Sequence, residues 1–120
     1  NITFLGYVEN ALNYVSAADI FVQSSMDEAF GVSILEALFL NKRIAVTTPA
    51  GVIEFVSKFH EFLPPGNPEV LGKKIISELD SLENTCIKCT QAQYNYLTDN
   101  FDFNRTALGY RSVYQNLILN

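Results

Sequence analysis

Two glutamates, Glu28 and Glu36, bracket a run of small and apolar residues, Ala29-Phe30-Gly31-Val32. Apolar residues at Ile34, Leu35, Leu38 and Phe39 recur at helical spacing, so a helix begins at about Gly31. The first N–H groups of that helix have no partner within it, and its dipole faces the loop before it. Such a start suits an anion, and a phosphate in particular. Ala29 and Gly31 let the backbone approach a ligand closely. Glu36 lies about one and a half turns into the helix, where a carboxylate can accept hydrogen bonds from a polyol. Glu28 lies on the loop. The layout suits a ligand with hydroxyls at both ends and phosphate in the middle, as in a nucleotide sugar. Taken singly, each carboxylate also has a plainer reading. Glu28 can be a solvated loop acid, and Glu36 can make a structural hydrogen bond on a helix flank.

The elements around this segment alternate between strand and helix, which points to α/β architecture. Ile2–Leu5 reads as a first strand ended by Gly6. Asn10–Ala18 reads as a helix with Leu12, Val15 and Ala18 on one face. Asp19–Gln23 contains Ile-Phe-Val and reads as a buried strand. Asn41 tolerates the left-handed turn after the helix that carries Glu36. Ile44–Thr47 is a further β-branched strand, broken by Pro49, Ala50 and Gly51. Val52–Phe59 reads as a short helix, and Phe62-Leu63 as a brief strand before Pro64-Pro65-Gly66. Asn67 then Pro68 is a helix start: an N-cap, then proline at the first helical position. That helix carries Leu71, Ile75, Ile76, Leu79 and Leu82. Asn84–Leu97 is weakly patterned but helical. Asp102 reads as another N-cap, ahead of a stripe through Phe103, Ala107, Tyr110, Val113, Tyr114 and Leu117. In parallel α/β sheets ligands sit beyond the carboxyl ends of the strands. The segments after Leu5, Gln23, Thr47 and Leu63 are therefore where a site belongs.

Composition narrows the function classes. A length of 120 residues fits one domain, and 48% hydrophobic residues exclude disorder. A net charge of −5 argues against a nucleic-acid surface, which is usually basic. No run of about 18 apolar residues exists to span a membrane. No basic n-region and apolar h-region opens the chain, so a cytoplasmic location is expected. The chain starts at Asn1 rather than Met, which fits a piece of a longer protein. Cys86 and Cys89 form Cys-Ile-Lys-Cys, but a zinc site wants four ligands. They read as ordinary thiols in a reducing compartment. His60 reads as a surface residue.

Glu28-x7-Glu36, set in Asp-Glu-Ala-Phe-Gly-Val-Ser-Ile-Leu-Glu-Ala, closely resembles the Glu-x7-Glu signature of the retaining GT-B glycosyltransferases usually called family 4. The resemblance runs along nearly the whole chain. Ile2-Thr3-Phe4-Leu5-Gly6-Tyr7-Val8 resembles the family's strand before the donor site. Ala17-Ala18-Asp19-Ile20-Phe21-Val22 resembles its next helix-to-strand junction. Lys42 to Thr47, then Gly51 and Glu54, resemble its following strand and turn. Leu63-Pro64-Pro65-Gly66-Asn67-Pro68-Glu69 resembles its strand-to-helix connection, and Phe101 to Leu117 its closing helices. Five motifs in order are far more specific than any one.

The resemblance implies a Rossmann-like parallel sheet with flanking helices, the C-terminal half of a GT-B fold truncated at its N-terminus. Residues 1–120 would form a single donor-binding domain of a larger two-domain enzyme. By position, Glu36 would accept hydrogen bonds from the nucleotide's ribose, and Glu28, the catalytic-site carboxylate, would contact hydroxyls of the donor sugar. Ala29, Phe30, Gly31 and Val32 would face the sugar and the diphosphate, and Tyr7 and Val8 would lie near the base. The implied substrate is a UDP-, GDP- or ADP-sugar. No cofactor and no metal are implied, since protein positive charge stabilises the leaving diphosphate. The acceptor, a glycan or lipid, would be held by an absent N-terminal domain. The full-length enzyme would be cytoplasmic, or peripheral at the cytoplasmic face of a membrane.

Departures from the family pattern are Ser24 for a common proline, Ala29 for a frequent glycine, Asn41 for glycine and Ile53 for proline. None removes a named hydrogen-bonding group. Two earlier strands of the family's donor domain, the first carrying an Arg and a Lys that grip the diphosphate, are not in this chain. Lys42 and Arg43 follow the signature helix and stand at the wrong end to replace them. The chain alone is therefore expected to be inactive, to expose a sheet edge or apolar patch, and to self-associate. Tyr110, Tyr114 and Leu117 would pack against the absent domain. Alternatives are a catalytically inactive nucleotide-sugar-binding module and a GT-B fold epimerase or phosphorylase-like enzyme, which does not usually carry the paired glutamates. A response-regulator receiver domain needs an acidic cluster and a lysine at strand ends. The ends here are Gly6, Gln23, Thr47 and Leu63, so that reading fails.

Overall fold

A computed structural model of the chain describes residues 1–47, 51–81 and 91–118. Its elements run α1 (Ala11–Ala17), β1 (Ile20–Gln23), α2 (Val32–Phe39), β2 (Arg43–Val46), α3 (Ile53–Val56), α4 (Pro68–Asp80), α5 (Gln91–Phe101) and α6 (Phe103–Ile118). They fall into two compact units, one within residues 1–88 and one within 89–120. Leu82, Asn84, Cys86, Cys89, Pro49 and Ala50 lie outside the described residues.

In the first unit β1 pairs with β2 in parallel, Ile20 beside Arg43 and Gln23 beside Val46. A single parallel bridge joins Thr47 to Leu63 on the far side of β2. The order β1, β2, Leu63 therefore follows the chain, and the α/β architecture is as the alternation implies. β2 is buried at every position because α2 and α4 both pack on it. Arg43 faces α4, so by the strand alternation Ala45 shares that face and Ile44 and Val46 point the other way. The core gathers Ile34, Leu35 and Leu38 of α2, Ile44 and Val46 of β2, Val52 and Val56, and Leu63. Each such aliphatic side chain stabilises the fold by about 1.5–3 kcal/mol when fully buried.

The turns form for local reasons. Asn41 closes α2 at φ 57°, the left-handed conformation asparagine tolerates. Asn67 caps α4, its Oδ1 accepting from the Val70 N–H at 3.1 Å, with Pro68 next. Asp102 caps α6 likewise, accepting from the Arg105 N–H at 3.2 Å.

Four expectations about the elements are corrected. Ile2–Leu5 forms no strand: residues 1–6 are irregular, with Ile2 and Phe4 almost fully exposed. Among the described residues no strand lies beside it, and a lone strand has no ladder to hold it. β1 is not buried. It has one neighbour and one open edge, and Val22 is 41% exposed. The helix after Gly51 is one turn, Ile53–Val56, since β-branched Val52, Ile53 and Val56 favour helix weakly. The apolar stripe of α4 is not buried as a whole. Leu71 and Ile75 are half-buried, while Ile76, well round the helix from Leu71, is 60% exposed.

The orientation of α4 is set by an ion pair. The buried Arg43 guanidinium donates to Glu78 Oε2 at 3.2 Å and to the Ser81 carbonyl at 3.2 Å, and also meets the Ser81 hydroxyl. Lys74 Nζ reaches the other Glu78 oxygen at 2.9 Å. Arg43 thus ties the start of β2 to the C-terminal turn of α4, where positive charge is favourable. In the second unit, Gln93 and Leu97 lie one turn apart on α5 and are both buried. The stripe on α6 is exposed at Phe103, Tyr110, Val113, Tyr114 and Leu117. Among the described residues no helix is long and apolar enough to cross a membrane.

His60 is half-buried rather than a surface residue, and burial lowers its pKa below 6.5, with Glu78 opposing and Lys74 adding to the shift. Two outcomes are expected. Arg43→Ala leaves the partly buried Glu78 with Lys74 alone and lowers unfolding free energy by on the order of 3 kcal/mol in chemical denaturation; Arg43→Met, which keeps the stem, recovers part of it. For His60, the unfolded chain takes up its proton first on acidification. Its contribution is therefore complete above about 6.5 and is lost as pH falls from there toward the lower folded value. His60→Gln should flatten that part of the stability–pH curve and leave the alkaline side unchanged.

Candidate functional site

The site grows from the end of β1. The Gln23 carbonyl accepts from the Thr47 N–H at 3.0 Å, so the parallel ladder continues one residue past β2. The buried Thr47 hydroxyl donates to the Ser25 carbonyl at 2.7 Å. These bonds turn the chain out of β1 into the loop at 24–30. Its far end is held by a second pair of backbone bonds. The Gly51 N–H donates to the Ala29 carbonyl at 3.2 Å and the Val52 N–H to the Phe30 carbonyl at 2.9 Å. A Cβ at Gly51 would stand 3.0 Å from the Phe30 ring and 3.2 Å from the Ala29 carbonyl, so only glycine lets the two segments close up this far. The Phe30 ring also meets Phe55 edge-on, with centroids 6.5 Å apart.

Gly31 makes the corner into α2. It is buried, and its φ of 87° is the left-handed conformation that a side chain strains. Its carbonyl accepts from the Ile34 N–H at 3.0 Å. No side chain caps this end of α2. The N–H groups of Val32 and Ser33 therefore face the loop side of the helix start, as an anion site requires.

Glu28 is half-buried on the loop. Its Oε2 accepts from Gln23 Nε2 at 3.0 Å, and its N–H donates to Asp27 Oδ1 at 3.0 Å. Gln23 Oε1 in turn accepts from Ser33 Oγ at 2.9 Å. Glu36 is exposed, one turn beyond the exposed Val32. Side chains lean toward the N-terminus of a helix, so Glu36 lies over Val32 toward the loop. Glu28, Ala29, Phe30, Gly31, Val32 and Glu36 are thus brought together around one helix start. Tyr7 and Val8 lie in the irregular segment before α1, with Tyr7 91% exposed.

A cleft of about 170 Å³ opens beside the loop, lined by Ser24, Met26, Thr47, Gly66, Asn67 and Leu71 among others. It sits where the segments after β1, β2 and Leu63 converge. A wider depression on α4, between Lys73, Ile76, Ser77 and Asp80, lies toward the opposite end of β2, where Arg43 meets Ser81. Lys42 and Arg43 serve structure. Lys42 Nζ donates to the Ser16 carbonyl at the end of α1 at 2.6 Å. Among the described residues no three His, Cys, Asp or Glu side chains gather as a metal ligand set.

Sequence reasoning missed Gln23, Ser33 and Thr47 as parts of the site. Their polar side chains at the end of a strand, the first turn of a helix and the end of the next strand were the available signal.

Glu28 and Glu36 thus flank one helix start beyond the carboxyl end of a parallel strand. Comparison with protein families matches residues 1–95 to glycosyl transferases group 1, and the chain belongs to that family. Comparisons with curated proteins and with solved structures return no match.

Gly31→Ala is expected to lower stability by about 1–2 kcal/mol, because alanine is strained at this φ. Gly31→Asn should recover part of the loss, as read by thermal or chemical unfolding of the three proteins.

Proposed function

We propose that this chain supplies the donor-binding site of a retaining glycosyltransferase that takes its sugar from a nucleoside diphosphate. The observation that carries the reading is the placement of Glu28 and Glu36 on either side of one uncapped helix start, beyond the carboxyl end of β1. Membership of the glycosyl transferases group 1 family supports it. In the reaction the bond from the anomeric carbon to the diphosphate breaks and a bond to the acceptor oxygen forms. The acceptor hydroxyl gives up its proton to the departing diphosphate or to water, the free nucleoside diphosphate leaves, and the anomeric configuration is kept.

Each group has a role suited to its position. Glu36 accepts from the ribose hydroxyls. Glu28 accepts from hydroxyls of the donor sugar and orients it. The N–H groups at the start of α2 face the diphosphate and, with the helix dipole, stabilise charge that develops on the leaving group. Ala29 and Gly31 keep the backbone close to the sugar. No metal and no cofactor enter. Further positive charge for the diphosphate comes from groups other than Lys42 and Arg43, which are engaged at α1 and α4. A second domain holds the acceptor, a glycan or lipid. The enzyme works in the cytoplasm, in solution or at a membrane surface.

The test is a titration with UDP-, GDP- and ADP-sugars, and with the 2′-deoxy form of the best of them. Wild type should bind the ribose form more tightly, and Glu36→Ala should lose about tenfold in affinity and erase that difference. An unchanged preference for ribose in Glu36→Ala would sink the assigned role.

A further inference from the structure

We propose that Gln23 is the positioning residue for Glu28, and that Ser33 anchors the Gln23 amide from its other side. The inference rests on the donor-site reading of Glu28 given above. Gln23 is the last residue of β1 and is half-buried. Its main chain is held by the Thr47 N–H at 3.0 Å, so the side chain projects from a fixed base. From there the amide spans two partners, giving to Glu28 Oε2 at 3.0 Å and taking from Ser33 Oγ at 2.9 Å.

The chemistry of the three groups dictates the direction. A carboxylate only accepts, so Glu28 takes the amide nitrogen. A hydroxyl either donates or accepts, so Ser33 adapts and donates to the amide oxygen. Glu28 thus sets the direction of the amide, and Ser33 holds its oxygen in place. Without Ser33, the amide keeps its bond to Glu28 but loses its second anchor, and the side chain gains rotamer freedom.

The relay ties a loop carboxylate to a strand end and to the first helical turn of α2. Among the described residues no other bond reaches the Glu28 carboxylate, so Oε1 is left to accept from a sugar hydroxyl. A glutamate already held in place loses less rotamer freedom when ligand arrives, a difference of roughly three- to tenfold in affinity. That gain belongs to the sugar, because Glu28 does not touch the nucleoside. Gln23 therefore tunes affinity for the sugar nucleotide and leaves the plain diphosphate unaffected.

The experiment compares Kd values for UDP and UDP-glucose, GDP and GDP-mannose, and ADP and ADP-glucose by calorimetry on this chain. Gln23→Leu, of similar size, should bind the preferred sugar nucleotide roughly three- to tenfold more weakly, with the free diphosphate unchanged. Gln23→Glu sets like charges together and should lose more. Ser33→Ala should lose part, and Ser33→Thr, which restores the hydroxyl, should match wild type. In the ligand-free protein the Gln23 side-chain amide resonances should move in Glu28→Gln and in Ser33→Ala, which a general packing role does not require. Equal losses for diphosphate and sugar nucleotide, or no loss in Gln23→Leu, overturn the proposal. So does a Ser33→Thr protein that behaves like Ser33→Ala. A wild-type chain that binds none of these nucleotides overturns the donor-site reading itself, and this inference with it.

Discussion

The parallel pairing of β1 with β2 is the constraint on which the rest of the first unit depends. It places the ends of two strands side by side, so the residues that follow, Ser24 and Thr47, start their loops from one edge. Thr47 uses both its N–H and its hydroxyl to hold the chain leaving β1. A buried hydroxyl without a partner is costly, so this bond also specifies where the loop must turn. Were the strands antiparallel, these two loops would leave from opposite ends of the sheet, and no shared site would form.

From that base the geometry propagates in two directions. Along the chain, the loop is closed by the bonds from Gly51 and Val52 and turned into α2 by the left-handed Gly31. Across the sheet, α2 and α4 cover β2, and α4 is oriented by Arg43 at the opposite end from the site. The division is physically sensible. The buried charge sits where it anchors, and the uncapped helix start sits where a ligand can use it. An acidic chain can offer a phosphate site on these terms, because backbone N–H groups and a helix dipole supply local positive potential that net charge does not reveal.

Much of this was legible in the residues. The helical spacing of Ile34, Leu35 and Leu38, the Asn67-Pro68 start and the Asp102 cap each follow from a local rule, and each occurs. The group of Glu28, Ala29, Phe30, Gly31, Val32 and Glu36 is contiguous or lies one turn apart, so local structure alone brings it together. Tyr7 and Val8 are different. They follow Ile2–Leu5, which forms no strand, and a strand exists only if another lies beside it. Strand formation is a property of the pair, which a single segment cannot report.

The sequence by itself determined most of the helices, the caps at Asn67 and Asp102 and the carboxylates at the start of α2, because these depend on neighbours within one or two turns. The tertiary structure alone decided what the polar residues between the elements do. Gln23 and Ser33 stand ten positions apart and Thr47 far from Ser25, and their bonds follow from a sheet register and a crossover rather than from any spacing. Burial was decided there too. Ile20, Phe21 and Val22 are as apolar as Ile44, Ala45 and Val46, yet only the second run is covered on both faces. Coverage depends on which strand lies inside the sheet, and that is set by pairing across the chain rather than by the hydrophobicity of the run.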